Sequence, residues 1–137
     1  MKIVVIDGQG GRLGQLICEA VSKETIECDL LAIGTNSIAT SAMIKAGAKQ
    51  GATGENPVVV ACRDADVIIG PIGIVVADSL LGEITSTMAV AVGQSKAIKL
   101  LLPVSHCNNR VVGVHSLSLS EMVAQTIADL KEVDKDQ

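Results

Sequence analysis

The sequence predicts an α/β domain. One three-layer, mostly parallel and doubly wound sheet of five or six strands carries helices on both faces. Three observations point there. Short apolar runs alternate with segments of helical periodicity along the whole chain. Several of those runs are apolar at every position, as strands covered on both faces are. A glycine-rich loop joins the first run to the first helical segment. At 137 residues the pattern uses up the chain as a single domain, residues 1–137, with a polar, frayed tail over residues 131–137.

The elements follow in order. Residues 2–6 (Lys-Ile-Val-Val-Ile) read as a buried strand that ends at Asp7-Gly8. Leu13, Leu16, Ile17, Ala20 and Val21 form one apolar stripe of a helix over residues 11–22. Residues 30–33 are a second strand, stopped by Gly34. Thr35, Asn36 and Ser37 can cap the next helix, whose small apolar residues repeat up to a C-terminal Gly47. Residues 48–54 are a short strand or loop.

Asn56-Pro57 reads as the cap and first position of a helix that reaches Asp64. Residues 66–69 are a strand, broken by Gly70-Pro71-Ile72-Gly73. Residues 74–82 fit helix and strand equally. Ile84, Met88, Ala91 and Val92 mark a helix to Ser95, and residues 98–102 a strand closed by Pro103. Residues 110–114, rich in valine, read as a further short strand. Ser118-Leu119-Ser120-Glu121 is a capping box that opens the last helix.

Composition removes several function classes. The chain has no Phe, Tyr or Trp, so it has no stacking platform for single-stranded nucleic acid and no aromatic cage. The net charge is −4 with no basic run, which argues against a nucleic-acid partner. No stretch is long and apolar enough for a signal peptide or a membrane span. Cys18, Cys28, Cys62 and Cys107 form no C-x-x-C pair and read as reduced thiols of a cytoplasmic protein, with no metal site. An apolar fraction of 48% exceeds what a small monomer needs, and a homo-oligomer, most simply a dimer, accounts for it.

The chemistry lies in Gly8-Gln9-Gly10-Gly11-Arg12-Leu13-Gly14, between the first strand and the first helix. Strand, glycine loop, amphipathic helix and second strand follow one another as a Rossmann-like dinucleotide site requires. Gly8 suits the tight turn, Gly10 and Gly11 the approach of a diphosphate, and Gly14 the helix–strand contact. The helix N-terminus would face the anion. A P-loop is excluded, because Gly14 is followed by Gln15-Leu16.

The end of the second strand lacks the acidic residue that binds an adenosine ribose. Thr35, Asn36 and Ser37 stand there instead. Small polar groups could receive a 2′-phosphate with Arg12 as counter-charge, which favours NADP over NAD. Asp7, beside the phosphate site, is expected to cap backbone amides of its own loop. With strand order 3-2-1-4-5, the loops after strands one and four flank the crevice. Gly70, Pro71, Ile72 and Gly73 then join the cofactor site, with Ile72 against a ring. His106 and Cys107, after the fifth strand, are the candidate catalytic residues; the alternative for them is a polar turn or interface loop. His115 reads as structural.

Residues 4–17 (Val-Val-Ile-Asp-Gly-Gln-Gly-Gly-Arg-Leu-Gly-Gln-Leu-Ile) resemble the nucleotide-binding loop of dihydrodipicolinate reductases, which has the form G-x-G-G-R-M-G. The resemblance implies that Gly8, Gly11, Arg12, Leu13 and Gly14 line the pyrophosphate and adenosine ribose of a reduced dinucleotide. That family's paired His and Lys motif has no counterpart here. Residues 51–57 look like the Asn-Pro loop of tubulin-like GTPases, but their G-G-G-T-G-[ST]-G loop is missing. Over its whole length the chain resembles a family of small uncharacterised bacterial Rossmann-like proteins. Residues 81–85 (Leu-Gly-Glu-Ile-Thr) and 101–108 (Leu-Leu-Pro-Val-Ser-His-Cys-Asn) carry that likeness, which implies no activity.

The expected function is therefore dinucleotide binding, of NADP or NAD, at the loop after strand one. An enzyme of this size would be an NAD(P)-dependent oxidoreductase whose substrate site is completed at a subunit interface. The alternative is a non-enzymatic regulatory or scaffold oligomer that binds another nucleotide or anion there, or nothing.

Overall fold

β-Branched and leucine-rich runs pair side by side because their flat apolar faces must both be covered. The computed structural model describes residues 1–104 and 108–137. Its strands are β1 (Lys2–Asp7), β2 (Asp29–Gly34), β3 (Gln50–Thr53), β4 (Val67–Pro71) and β5 (Ile98–Leu102). The helices are α1 (Arg12–Ser22), α2 (Ser37–Ala46), α3 (Glu55–Cys62), α4 (Ser86–Gln94) and α5 (Leu119–Lys135). The sheet order is β3-β2-β1-β4-β5, and every neighbouring pair is parallel.

β1 is central. Val4 pairs with Leu31 on one side and Ile68 on the other. Successive strand side chains point to opposite faces, so β1 feeds two cores. Ile3 and Val5 join Ile17 of α1, Met43 of α2 and Leu130 of α5 in one layer. Val4 and Ile6 join Val58 of α3 and Met88 and Val92 of α4 in the other. Each of these side chains is at most 4% exposed, so aliphatic residues alone close both layers.

Most expected elements form, and some shift. Residues 50–53 settle as a strand on the edge of the sheet. α3 begins at Glu55, capped by Gly54 at φ 110° rather than by Asn56. Pro57 still lies in its first turn, where no backbone donor is needed. Residues 74–82 form neither an α-helix nor a strand. A 3-10 turn, Ile72–Val75, is followed by turns in which Asp78, Leu80 and Leu81 hold positive φ. α4 starts at Ser86, capped by Thr85, so Ile84 is buried ahead of the helix.

The expected strand at residues 110–114 does not form. Among the described residues no strand pairs with it, and Val112 is 97% exposed. Nor does the chain fray at residue 131. α5 runs to Lys135, with Val133 packed against the core and Lys131 paired with Glu24 at 3.0 Å. Its capping box forms as read, between Ser118 and Glu121. No helix among the described residues is long and apolar enough to cross a membrane.

Candidate nucleotide site

In a parallel sheet the ligand crevice opens at the carboxyl ends of the strands, where the order reverses. Here that point lies between β1 and β4. Gly11 turns the chain from β1 into α1 at φ 74°, and its amide donates to the Gly8 carbonyl at 2.9 Å. A Cβ at Gly11 would stand 2.7 Å from the Ala39 Cα of α2, so the loop is seated on that helix. A Cβ at Gly14 would meet Met43 Sδ at 2.5 Å and Asp7 Cβ at 2.8 Å, the close packing the sequence suggested. At Gly10 it would meet nothing within 4 Å, so the loop is open on that side.

Asp7 organises the loop. Its carboxylate accepts the amides of Gly8 at 2.8 Å and Gly14 at 2.7 Å, the capping role expected of it. Burial raises its pKa, against the two amides that lower it, and the nearby Glu83 charge adds to the rise. Gly14 is thus one satisfied donor of the first turn of α1, and Gln15 is another, bonded to the Gly11 carbonyl. The amides of Arg12 and Leu13 find no acceptor among the described residues. Both residues line a cavity of about 710 Å³.

Four parts of the chain build that cavity. Residues 7–13 form one wall, and Pro71, Ile72 and Leu80 from the β4 side another. Pro103 and Val104 follow β5. The segment from Asn109 to Leu117, with Leu119 and Met122 of α5, closes the far side. Arg12, Arg110 and His115 give the walls their basic groups.

The sequence candidates divide accordingly. Gly8, Gln9, Gly10, Gly11, Arg12, Leu13, Pro71 and Ile72 come together around the cavity. Gly14, Gly70 and Gly73 are not in its lining. A Cβ at Gly70 would stand 2.5 Å from the Ile6 carbonyl oxygen, and Gly73 accepts a hydrogen bond from the Ser79 hydroxyl. Thr35 and Asn36 lie beside the loop, and like Ser37 they are outside the lining. His106 and Cys107 lie outside the described residues. His115, read from the sequence as structural, is exposed and on the cavity wall.

Sequence reasoning missed Glu83. One of its oxygens, Oε1, accepts from the Gln9 amide at 3.0 Å, the Thr35 hydroxyl at 2.5 Å and the Asn36 side-chain amide at 2.8 Å. Asn36 also donates to the Gln9 carbonyl at 2.9 Å, so both sides of the Gln9 residue are held. Partial burial works to raise the Glu83 pKa, but the three hydrogen bonds prevail and hold it below its usual range. Thr35 and Asn36 are thereby engaged with a carboxylate, against the expectation that they receive a phosphate.

The chain belongs to the family described as a domain of unknown function, DUF3842. The match spans residues 2–135. The comparison with curated proteins finds no match. Among solved structures the chain is similar to a dodecameric FMN-dependent UbiX-like decarboxylase from Escherichia coli O157:H7. The TM-score is 0.45 at 13% identity, over 96% of this chain and 93% of that one. No comparison extends the likeness of the glycine loop to dihydrodipicolinate reductases. The DUF3842 family agrees with the whole-length resemblance, which carried no activity.

Proposed function

We propose that this DUF3842 protein binds a dinucleotide across the carboxyl ends of β1 and β4. Its diphosphate would sit at the amides of Arg12 and Leu13. The observation that carries this reading is that pair of amides, without acceptors among the described residues, on two residues that line the cavity. Helix N-termini hold anions through such donors and the aligned peptide dipoles. Gly10 leaves room for the phosphates, and Arg12 and Arg110 supply countercharge.

With no aromatic residue in the chain, a ring in the cavity would lie against Pro71, Ile72 and Leu117. A nicotinamide bound there would supply hydride chemistry. The residues described here bind and orient it. The same far wall exposes Val111, Val112, Val114 and Leu117. We propose that a second copy of the chain covers them, which makes the protein a dimer with its cavity at the subunit contact.

Calorimetric titration with NADH, NADPH, FMN, ADP and GTP tests the site. Saturable micromolar binding of a dinucleotide is expected. Absence of binding by both dinucleotides contradicts the reading.

A further inference from the structure

Glu83 reaches the glycine loop from the connection between β4 and α4, 48 residues beyond Thr35. It ends beside the first two residues after β2, Thr35 and Asn36, and on the amide of Gln9. In dinucleotide-binding sheets the end of β2 is where an acidic side chain meets the adenosine ribose. This chain has no acid in that stretch of sequence, yet its fold delivers a carboxylate to the same place.

We propose that Glu83 is the specificity-determining residue of the dinucleotide site. It selects a ligand with a free adenosine 2′-hydroxyl and rejects one with a 2′-phosphate. The proposal rests on the dinucleotide reading above and reverses the sequence preference for NADP.

Three observations support it. All three hydrogen bonds fall on Oε1, and Oε2 accepts none among the described residues, so one oxygen remains for a ribose hydroxyl. Gln9, whose amide Glu83 accepts, lines the cavity, so the carboxylate is one hydrogen bond from its wall. Thr35 and Asn36 are the groups that would have met a 2′-phosphate, and both already donate to this carboxylate. A phosphate there would face a like charge and displace its donors.

The test is the affinity of the wild-type protein and Glu83→Gln for NADH and for NADPH, with melting curves to show that both are folded. The wild type is expected to bind NADH at least about tenfold more tightly, as like-charge rejection demands. Glu83→Gln keeps the shape, removes the charge, and should narrow the ratio below about threefold. Equal wild-type affinity, or an unchanged ratio in folded Glu83→Gln, overturns the proposal and leaves the dinucleotide reading standing. Failure of both ligands to bind overturns both. Competition between ADP and adenosine 2′,5′-bisphosphate on the wild type needs no variant. ADP should win by a similar factor, and parity overturns the proposal.

Discussion

Asp7 and Gly14 are joined by a 2.7 Å hydrogen bond from the Gly14 amide to Oδ2. The other oxygen takes the Gly8 amide, so one buried carboxylate ties the start of the glycine loop to the first turn of α1. Asp7→Asn replaces one acceptor by a donor and leaves a buried amide unpaired. The expected loss is about 1–3 kcal/mol of folding free energy, read from urea denaturation. A variant as stable as the wild type would show that the loop does not depend on this tie.

The pH dependence of that loss follows from burial. Desolvation raises the Asp7 pKa above 3.8, the ordinary value, despite the amides of Gly14 and Gly8. A raised acid holds its proton more tightly when folded. Its contribution is therefore full below 3.8 and is lost as pH rises through the folded value. The cost of Asp7→Asn should be larger near that pH than at neutrality. Urea titrations across this range check it, and a cost that grows with pH contradicts it.

Gly10 and Gly11 are neighbours with opposite expected behaviour. Gly11→Ala puts a Cβ 2.7 Å from the Ala39 Cα at φ 74°, and should cost about 2 kcal/mol or more of stability. At Gly10 an added Cβ meets nothing within 4 Å, so Gly10→Asp starts into open space. It should melt near the wild type yet lose about 100-fold in nucleotide affinity, because a carboxylate enters the phosphate position. Melting curves and calorimetry on both variants separate packing from binding. A folded Gly10→Asp with full affinity would place the ligand elsewhere.

How far the sequence foretold this arrangement depends on the range of the contacts involved. Strand order, the glycine loop and the capping box at Ser118 arise from local pattern and from how parallel sheets wind, and all were legible. Asp7 was legible too, because its partners Gly8 and Gly14 are its own loop. Residues 110–114 misled, since β-branched composition reports fitness for a pleated surface and not the presence of a neighbouring strand. Gly54 opened α3 two residues ahead of the Asn-Pro signal through a positive φ. Glu83 was hidden because a turn with Leu80 and Leu81 at positive φ carries it to a strand end that it does not follow in the chain.

The cysteines should differ in reactivity. Burial pushes the Cys18 thiol up to about 12, with the Asp7 charge adding to it, whereas Cys28 is only partly buried. Because the thiolate is the reacting form, Cys28 should alkylate before Cys18 in the folded protein. Cys18 should react only once denaturant is added. Peptide mapping after a timed iodoacetamide pulse checks the order. Early labelling of Cys18 would mean that the α1 face opens readily.

Subunit contact through the exposed valines predicts a light-scattering mass twice the 14.1 kDa of the chain at micromolar concentration. Val112 is 97% exposed, so Val112→Asp should leave the fold intact and halve that mass. A wild-type mass of one chain contradicts the dimer.

The dinucleotide site is tested most directly by an electron-density map of crystals grown with NADH, inspected over residues 8–14. Diphosphate density is expected against the Arg12 and Leu13 amides, with the adenosine ribose at Glu83 and the nicotinamide toward Ile72. Density for the ligand away from that loop, or an empty loop at saturating NADH, would contradict it.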